Sequence, residues 1–187
     1  QIGGGFGSQK GLGINLIEKY MKMFGFGSPT GINLPGEEAG VVPSPAWKEK
    51  IFAGEPWRLG DTYHTTIGQY GFLVSPLQMA RGTASIASGK LLLPRVVVSE
   101  KITNETLSLP ITEENLKVVR EGMRLAVTEG TAIVLDVPYV EVAAKTGTAE
   151  VGVAKSFINA WVTGFFPYEN PRYAFVVVME RGKGGTL

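Results

Sequence analysis

Residues 140–180 read VEVAAKTGTAEVGVAKSFINAWVTGFFPYENPRYAFVVVME. Three runs rich in β-branched and aromatic residues, 140–150, 157–166 and 173–180, are separated by short polar or glycine-containing links. Such composition predicts strands, and links this short imply antiparallel pairing, because parallel neighbours need long crossovers. Tyr168-Glu169-Asn170-Pro171 supplies turn chemistry for the second link. The first strand is interrupted by a polar island, Lys145-Thr146-Gly147-Thr148. An ammonium, two hydroxyls and a glycine in succession suit a carboxylate-bearing ligand laid along an exposed strand edge. An amide one step further could point at a developing oxyanion. Taken alone, Lys-Thr-Gly also fits a plain surface strand.

Upstream of the strands the sequence reads as helical. Residues 10–24 place Leu12, Leu16, Ile17, Tyr20, Met23 and Phe24 at helical spacing, with Gly25 as a stop. Residues 25–60 are rich in Gly and Pro and predict a long irregular connection. Ser75-Pro76-Leu77-Gln78 is a helix start in which Ser75 can cap, Pro76 fits the first turn and Gln78 can reach back. Small residues then continue to Gly89, and residues 91–98 read as extended. Thr112-Glu113-Glu114 opens a further helix with an apolar stripe of Leu116, Val119, Met123 and Val127. Helices followed by an antiparallel meander make an α+β domain, and 187 residues suffice for one.

Composition removes several classes of function. Eighteen basic against 17 acidic residues give a net charge of +1, so no electrostatic footprint for nucleic acid is present. Without cysteine there is no thiol nucleophile, disulfide or thiolate metal site, and with one histidine no multi-histidine metal site. No metal or cofactor is expected. The cluster Gly3-Gly4-Gly5-Phe6-Gly7-Ser8-Gln9-Lys10-Gly11 fails as a phosphate loop, because Lys10 is followed by Gly11 rather than Ser or Thr; it reads as a flexible turn. His64 lacks an obvious carboxylate partner and reads as a loop histidine, and Trp47, Trp57 and Trp161 read as packing residues. The chain shows neither an initial Met nor a signal-like start, and its last residues follow directly on an apolar run, so it reads as an excerpt of a longer protein.

At Lys145-Thr146-Gly147 the sequence resembles the penicillin-binding protein transpeptidases, particularly the class B, cell-elongation type; Lys-Thr-Gly is the third signature of the penicillin-interacting serine enzymes. The likeness extends along the whole chain in family order. It runs through Gly31-Ile32-Asn33-Leu34-Pro35-Gly36-Glu37, Gly60-Asp61-Thr62, Ile67-Gly68-Gln69 and Ser75-Pro76-Leu77-Gln78-Met79-Ala80. Glu129-Gly130-Thr131-Ala132, Trp161-Val162-Thr163-Gly164-Phe165 and Asn170-Pro171 complete it. Two positions depart: Tyr70 stands where the family usually has Gly, and His64 where it often has Asn. None of the nine serines has Lys three residues on or Asn two residues on, so the family's Ser-x-x-Lys and Ser-x-Asn motifs are missing.

The resemblance implies that residues 1–187 are the C-terminal part of a single transpeptidase domain, a partial penicillin-binding/β-lactamase-like fold, with the nucleophile preceding it and a C-terminal helix following Gly184-Gly185. It implies a parent anchored in the cytoplasmic membrane, working on the extracytoplasmic (periplasmic) face. The implied reaction is serine acylation by D-Ala-D-Ala stem peptides of peptidoglycan, or by β-lactams, with cell-elongation proteins as partners. By position Lys145 would set the electrostatics of the cleft, Thr146 and Thr148 would bind the ligand, Gly147 would admit its backbone, and the Thr148 amide would be one oxyanion donor. A serine β-lactamase or β-lactam sensor, and a non-catalytic peptidoglycan-binding relative, are the alternatives. The piece alone is expected to be inactive.

Overall fold

The computed structural model describes residues 1–97, 106–152 and 157–183. In chain order its elements are α1 (Gly13–Met23), α2 (Pro45–Ile51), α3 (Leu59–Thr66), α4 (Pro76–Ser88), β1 (Lys90–Leu92), β2 (Thr106–Ser108), α5 (Glu113–Thr128), a 3₁₀ turn (Ile133–Leu135), β3 (Ala143–Val151), β4 (Phe157–Phe166) and β5 (Tyr173–Lys183). The α+β class holds. Chain contacts divide into two compact units, one of residues 1–29 and 34–75, the other of residues 30–33 and 76–187.

In the first unit the glycine cluster is a tight double-back rather than a flexible turn. Leu12 and Gly13 donate their N–H groups to the carbonyls of Ile2 and Gly3, both at 2.9 Å. The two backbones cross so closely that a Cβ on Gly11 would lie 2.3 Å from the Gly5 nitrogen. This pairing sets the inward face of α1: Ile14 and Ile17 are buried, while Leu12, Leu16 and Tyr20 stay exposed. Residues 25–60, expected to be irregular, contain α2 and the start of α3. Ser44 caps α2 by accepting from the Trp47 N–H at 3.2 Å, with Pro45 in the first turn. His64 correspondingly lies in the last turn of α3, not in a loop.

These short helices are held by one buried ion pair and a ring cluster. The Lys48 side chain, only 3% exposed, donates to Asp61 at 2.8 Å. The same carboxylate accepts from the Arg58 N–H at 2.7 Å, closing the first turn of α3. Around this pair, the Tyr70 ring contacts Trp47, Phe52, Trp57 and His64 with centroids 5.8–6.4 Å apart. Tyr70 has φ +62°, which explains why glycine is usual at this position. A left-handed non-glycine residue costs about 1–3 kcal/mol. Ring pairs at about 0.5–1.5 kcal/mol each offset it here.

Burial pushes the Asp61 carboxyl up, but the hydrogen bonds from Lys48, the Arg58 backbone and Tyr70 outweigh it, and the net direction is down. The hydrogen bond with Asp61 raises Lys48 against the opposing effect of burial. A depressed carboxyl contributes stability that is present above its unfolded pKa, ordinarily 3.8, and lost as pH falls through the folded value. A raised ammonium contributes stability that is present below its unfolded pKa, ordinarily 10.5, and lost as pH rises through the folded value. In the full-length protein, Asp61→Asn is therefore expected to lower Tm at neutral pH and to flatten the fall of Tm below about pH 4. Melting curves at successive pH values check it; an unchanged acid limb would contradict the assignment.

The second unit is built on the sheet β3-β4-β5, antiparallel throughout as the sequence predicts. Residues 91–98 form a strand only at β1, which pairs with β2, and Val98 lies outside the described residues. So do Gly184 and Gly185. Gln78, in the first turn of α4, is 1% exposed in the interior. Small polar residues let α4 lie close against β4 and β5. The Thr83 and Thr163 hydroxyls meet at 2.6 Å, and Thr163 also donates to the Phe175 carbonyl at 3.0 Å. Helix α5, capped where Thr112 accepts from the Asn115 N–H, packs on β3 through Met123 and Val127. Val119 of the expected stripe is exposed.

Candidate active-site strand

Among the described residues β3 is paired on one side only, with β4, so its outer edge is free. The strand starts in the core and ends in solvent. Ala143 and Ala144 are fully buried, whereas Lys145, Gly147 and Thr148 are exposed and Thr146 is half-buried. Arg124 of α5 fixes the buried start by donating to the Val142 carbonyl at 3.0 Å. The polar island therefore emerges from a rigid base onto an accessible edge, as the sequence predicts.

Register decides which way each side chain points, since successive residues of a strand face opposite sides. Lys145 lies opposite Thr163, Thr146 opposite Val162, Gly147 opposite Trp161 and Thr148 opposite Ala160. Directly opposed residues share a face. Lys145 thus lies on the side of Thr163, whose hydroxyl meets Thr83 of α4. Thr146 and Thr148 lie on the other side. A ligand running along the edge is reached from both faces. The Lys145 ammonium folds back and donates to the Thr146 carbonyl at 2.6 Å, and among the described residues no carboxylate pairs with it. The sheet does not itself require glycine at 147: an added Cβ would lie 3.6 Å from the Trp161 Cβ, ordinary contact.

Three other sequence candidates, Trp47, Trp57 and His64, belong to the first unit. Trp47 and Trp57 pack in the ring cluster of the first unit, and the Trp57 indole N–H donates to Thr62 at 2.8 Å. His64 is exposed with its ring against Tyr70. Among the described residues no group of histidines and carboxylates is arranged to hold a metal ion, and no helix is long and apolar enough to cross a membrane. One participant had a sequence signal but no assigned role. The Thr131 hydroxyl of Glu129-Gly130-Thr131-Ala132 lies 2.7 Å from the Thr146 hydroxyl.

The family model for the penicillin-binding protein transpeptidase domain matches residues 7–187. Peptidoglycan D,D-transpeptidase MrdA of Acinetobacter baumannii is 30% identical over 93% of this chain and 29% of its own length. The MrdA of Haemophilus influenzae is 31% identical over 94% of the chain and 31% of that relative. Among solved structures, Helicobacter pylori PBP2 in its complex with MreC superposes with a TM-score of 0.81 at 37% identity, covering 92% of this chain and 33% of that one. The chain thus spans about a third of the length of these relatives.

Proposed function

The chain belongs to the penicillin-binding protein transpeptidase domain family, and from that premise we propose that residues 1–187 are the C-terminal part of a single D,D-transpeptidase domain whose Lys145-Thr146-Gly147-Thr148 edge binds the acyl donor. The nucleophilic serine and its activating lysine precede this segment in the full-length protein. The serine oxygen attacks the D-Ala-D-Ala carbonyl of a peptidoglycan stem peptide and expels the terminal D-alanine, leaving an ester. The amine of a second stem peptide then takes the acyl group and releases the serine. β-Lactams acylate the same serine by ring opening, with no leaving group lost.

The observation that carries this reading is a Lys-Thr-Gly-Thr island on the free edge of β3, inside a chain that the family model matches almost throughout. Lys145, exposed and with no carboxylate partner among the described residues, supplies positive potential for the substrate carboxylate. Thr146 and Thr148 donate hydroxyl hydrogen bonds, and the Thr148 amide is one oxyanion donor. The absence of any internal need for glycine at 147 supports an external one: close approach of a ligand backbone. The full-length protein is membrane-anchored and works outside the cytoplasmic membrane. The MreC complex of the H. pylori relative supports a cell-elongation protein as its partner.

The nucleophile's absence gives the first test. The 187-residue chain, incubated with a fluorescent penicillin and run on a denaturing gel, is expected to carry no covalent label, whereas the full-length protein is labelled and keeps its label. A labelled band from the chain alone, abolished by replacing one of its nine serines, would refute the assignment. A label that turns over rapidly on the full-length protein would mark a β-lactamase instead.

A further inference from the structure

The Glu129-Gly130-Thr131-Ala132 segment has no part in the chemistry described so far, yet its geometry is tightly specified. It carries the chain from the end of α5 toward β3. A Cβ on Gly130 would lie 2.8 Å from the Ala126 Cα, so the backbone lies flat on the helix where only glycine fits. Ala132 donates its N–H to the Ala126 carbonyl at 2.8 Å and is 1% exposed, in one cluster with Val127, Val142 and Ala144. Thr131 is fixed between these two anchors. Its side chain is exposed, and its hydroxyl lies 2.7 Å from that of Thr146.

We propose that Thr131 is a positioning residue for ligand recognition, donating to the Thr146 oxygen so that the single Thr146 hydroxyl proton is aimed at the ligand's carboxylate. The direction follows from hydroxyl chemistry. Thr146 has one proton to give, and a carboxylate only accepts. When the carboxylate takes that proton, the Thr131–Thr146 bond must be donated by Thr131. A hydroxyl that accepts while donating is polarised and donates more strongly. The anchors on Gly130 and Ala132 hold Thr131 in place before the ligand arrives, which lowers the ordering cost at binding. This inference rests on the reading of Thr146 given above and adds a residue to it.

The test uses the full-length protein and two probes, benzylpenicillin and its methyl ester, which differ in whether a carboxylate is present. Acylation progress at varied concentration separates pre-covalent affinity from the acylation rate constant. Thr131→Val, which keeps the shape and removes the hydroxyl, is expected to weaken affinity for the acid about three- to ten-fold, the size of one hydrogen bond. The ester is expected to be unaffected, so discrimination between the probes narrows, and Thr131→Ser is expected to restore it. Equal losses for acid and ester, or unchanged discrimination in Thr131→Val, would overturn the proposal. Thr146→Val separates the two levels. If it collapses discrimination while Thr131→Val does not, only the role of Thr131 falls; if it too leaves discrimination intact, the ligand role of Thr146 falls with it.

Discussion

Lys145→Ala in the full-length protein is expected to lower the second-order rate constant for β-lactam acylation about 100- to 1,000-fold, the cost of losing one preorganised electrostatic contact at the reacting centre. Its Tm is expected to hardly move. Lys145 is exposed, lies in neither core cluster, and among the described residues its ammonium bonds to the carbonyl of the next residue. Changes at such positions usually lie within about 0.5 kcal/mol. Lys145→Arg keeps the charge but not the compact three-donor geometry, so an intermediate rate is expected. Stopped-flow acylation kinetics and thermal melts on the same preparations decide the matter. Wild-type acylation by Lys145→Ala, or a loss explained by unfolding, would make this lysine structural.

Phe165→Ala is expected to show the opposite signature. Phe165 is fully buried, sits opposite Ala143 in the ladder, clusters with Met123 and stacks on Tyr168 at a centroid distance of 6.5 Å. Removing a buried phenylalanine ring typically costs about 3–5 kcal/mol, because the cavity only partly collapses. For a unit of this size that corresponds to a Tm lower by about 6–20 °C. Phe165→Leu should recover much of the loss. Acylation below the new Tm is expected to fall only modestly, since no reacting group is removed. A Tm within a few degrees of wild type would show that the Ala143 end of β3 is held by other contacts.

What could be read in advance depended on how local its cause was. The three strands were legible because apolar alternation and short links act over neighbouring residues. The exposure of Lys145 was legible because a polar island breaks an apolar run. Helix α2 carries the same Ser-Pro start that marks α4, at Ser44-Pro45, but only seven residues follow and the surrounding glycines drown the pattern. Tyr70 could be recognised as unusual, yet neither its left-handed backbone nor its ring partners on α2 and α3 follow from local spacing. The face of α1 failed for the same reason: two overlapping apolar stripes exist, and pairing of the preceding loop chooses between them. The Thr131–Thr146 contact joins residues fifteen positions apart through a fixed turn. Its motif was visible; its purpose was not.

The free edge of β3 carries a liability beside its proposed role. A nine-residue strand with one side unpaired among the described residues offers its backbone groups to any extended chain, including a second copy of itself. Enzymes that must seat a peptide there cannot bury that edge. They can only make it unwelcoming to the wrong strand, and charged side chains along the row do this because docking a second strand there would strip them of hydration. Lys145 and Glu150 bracket the exposed stretch in this way. On the proposed function, the ammonium offered to a ligand carboxylate is also a charge that discourages the strand from templating a second copy of itself.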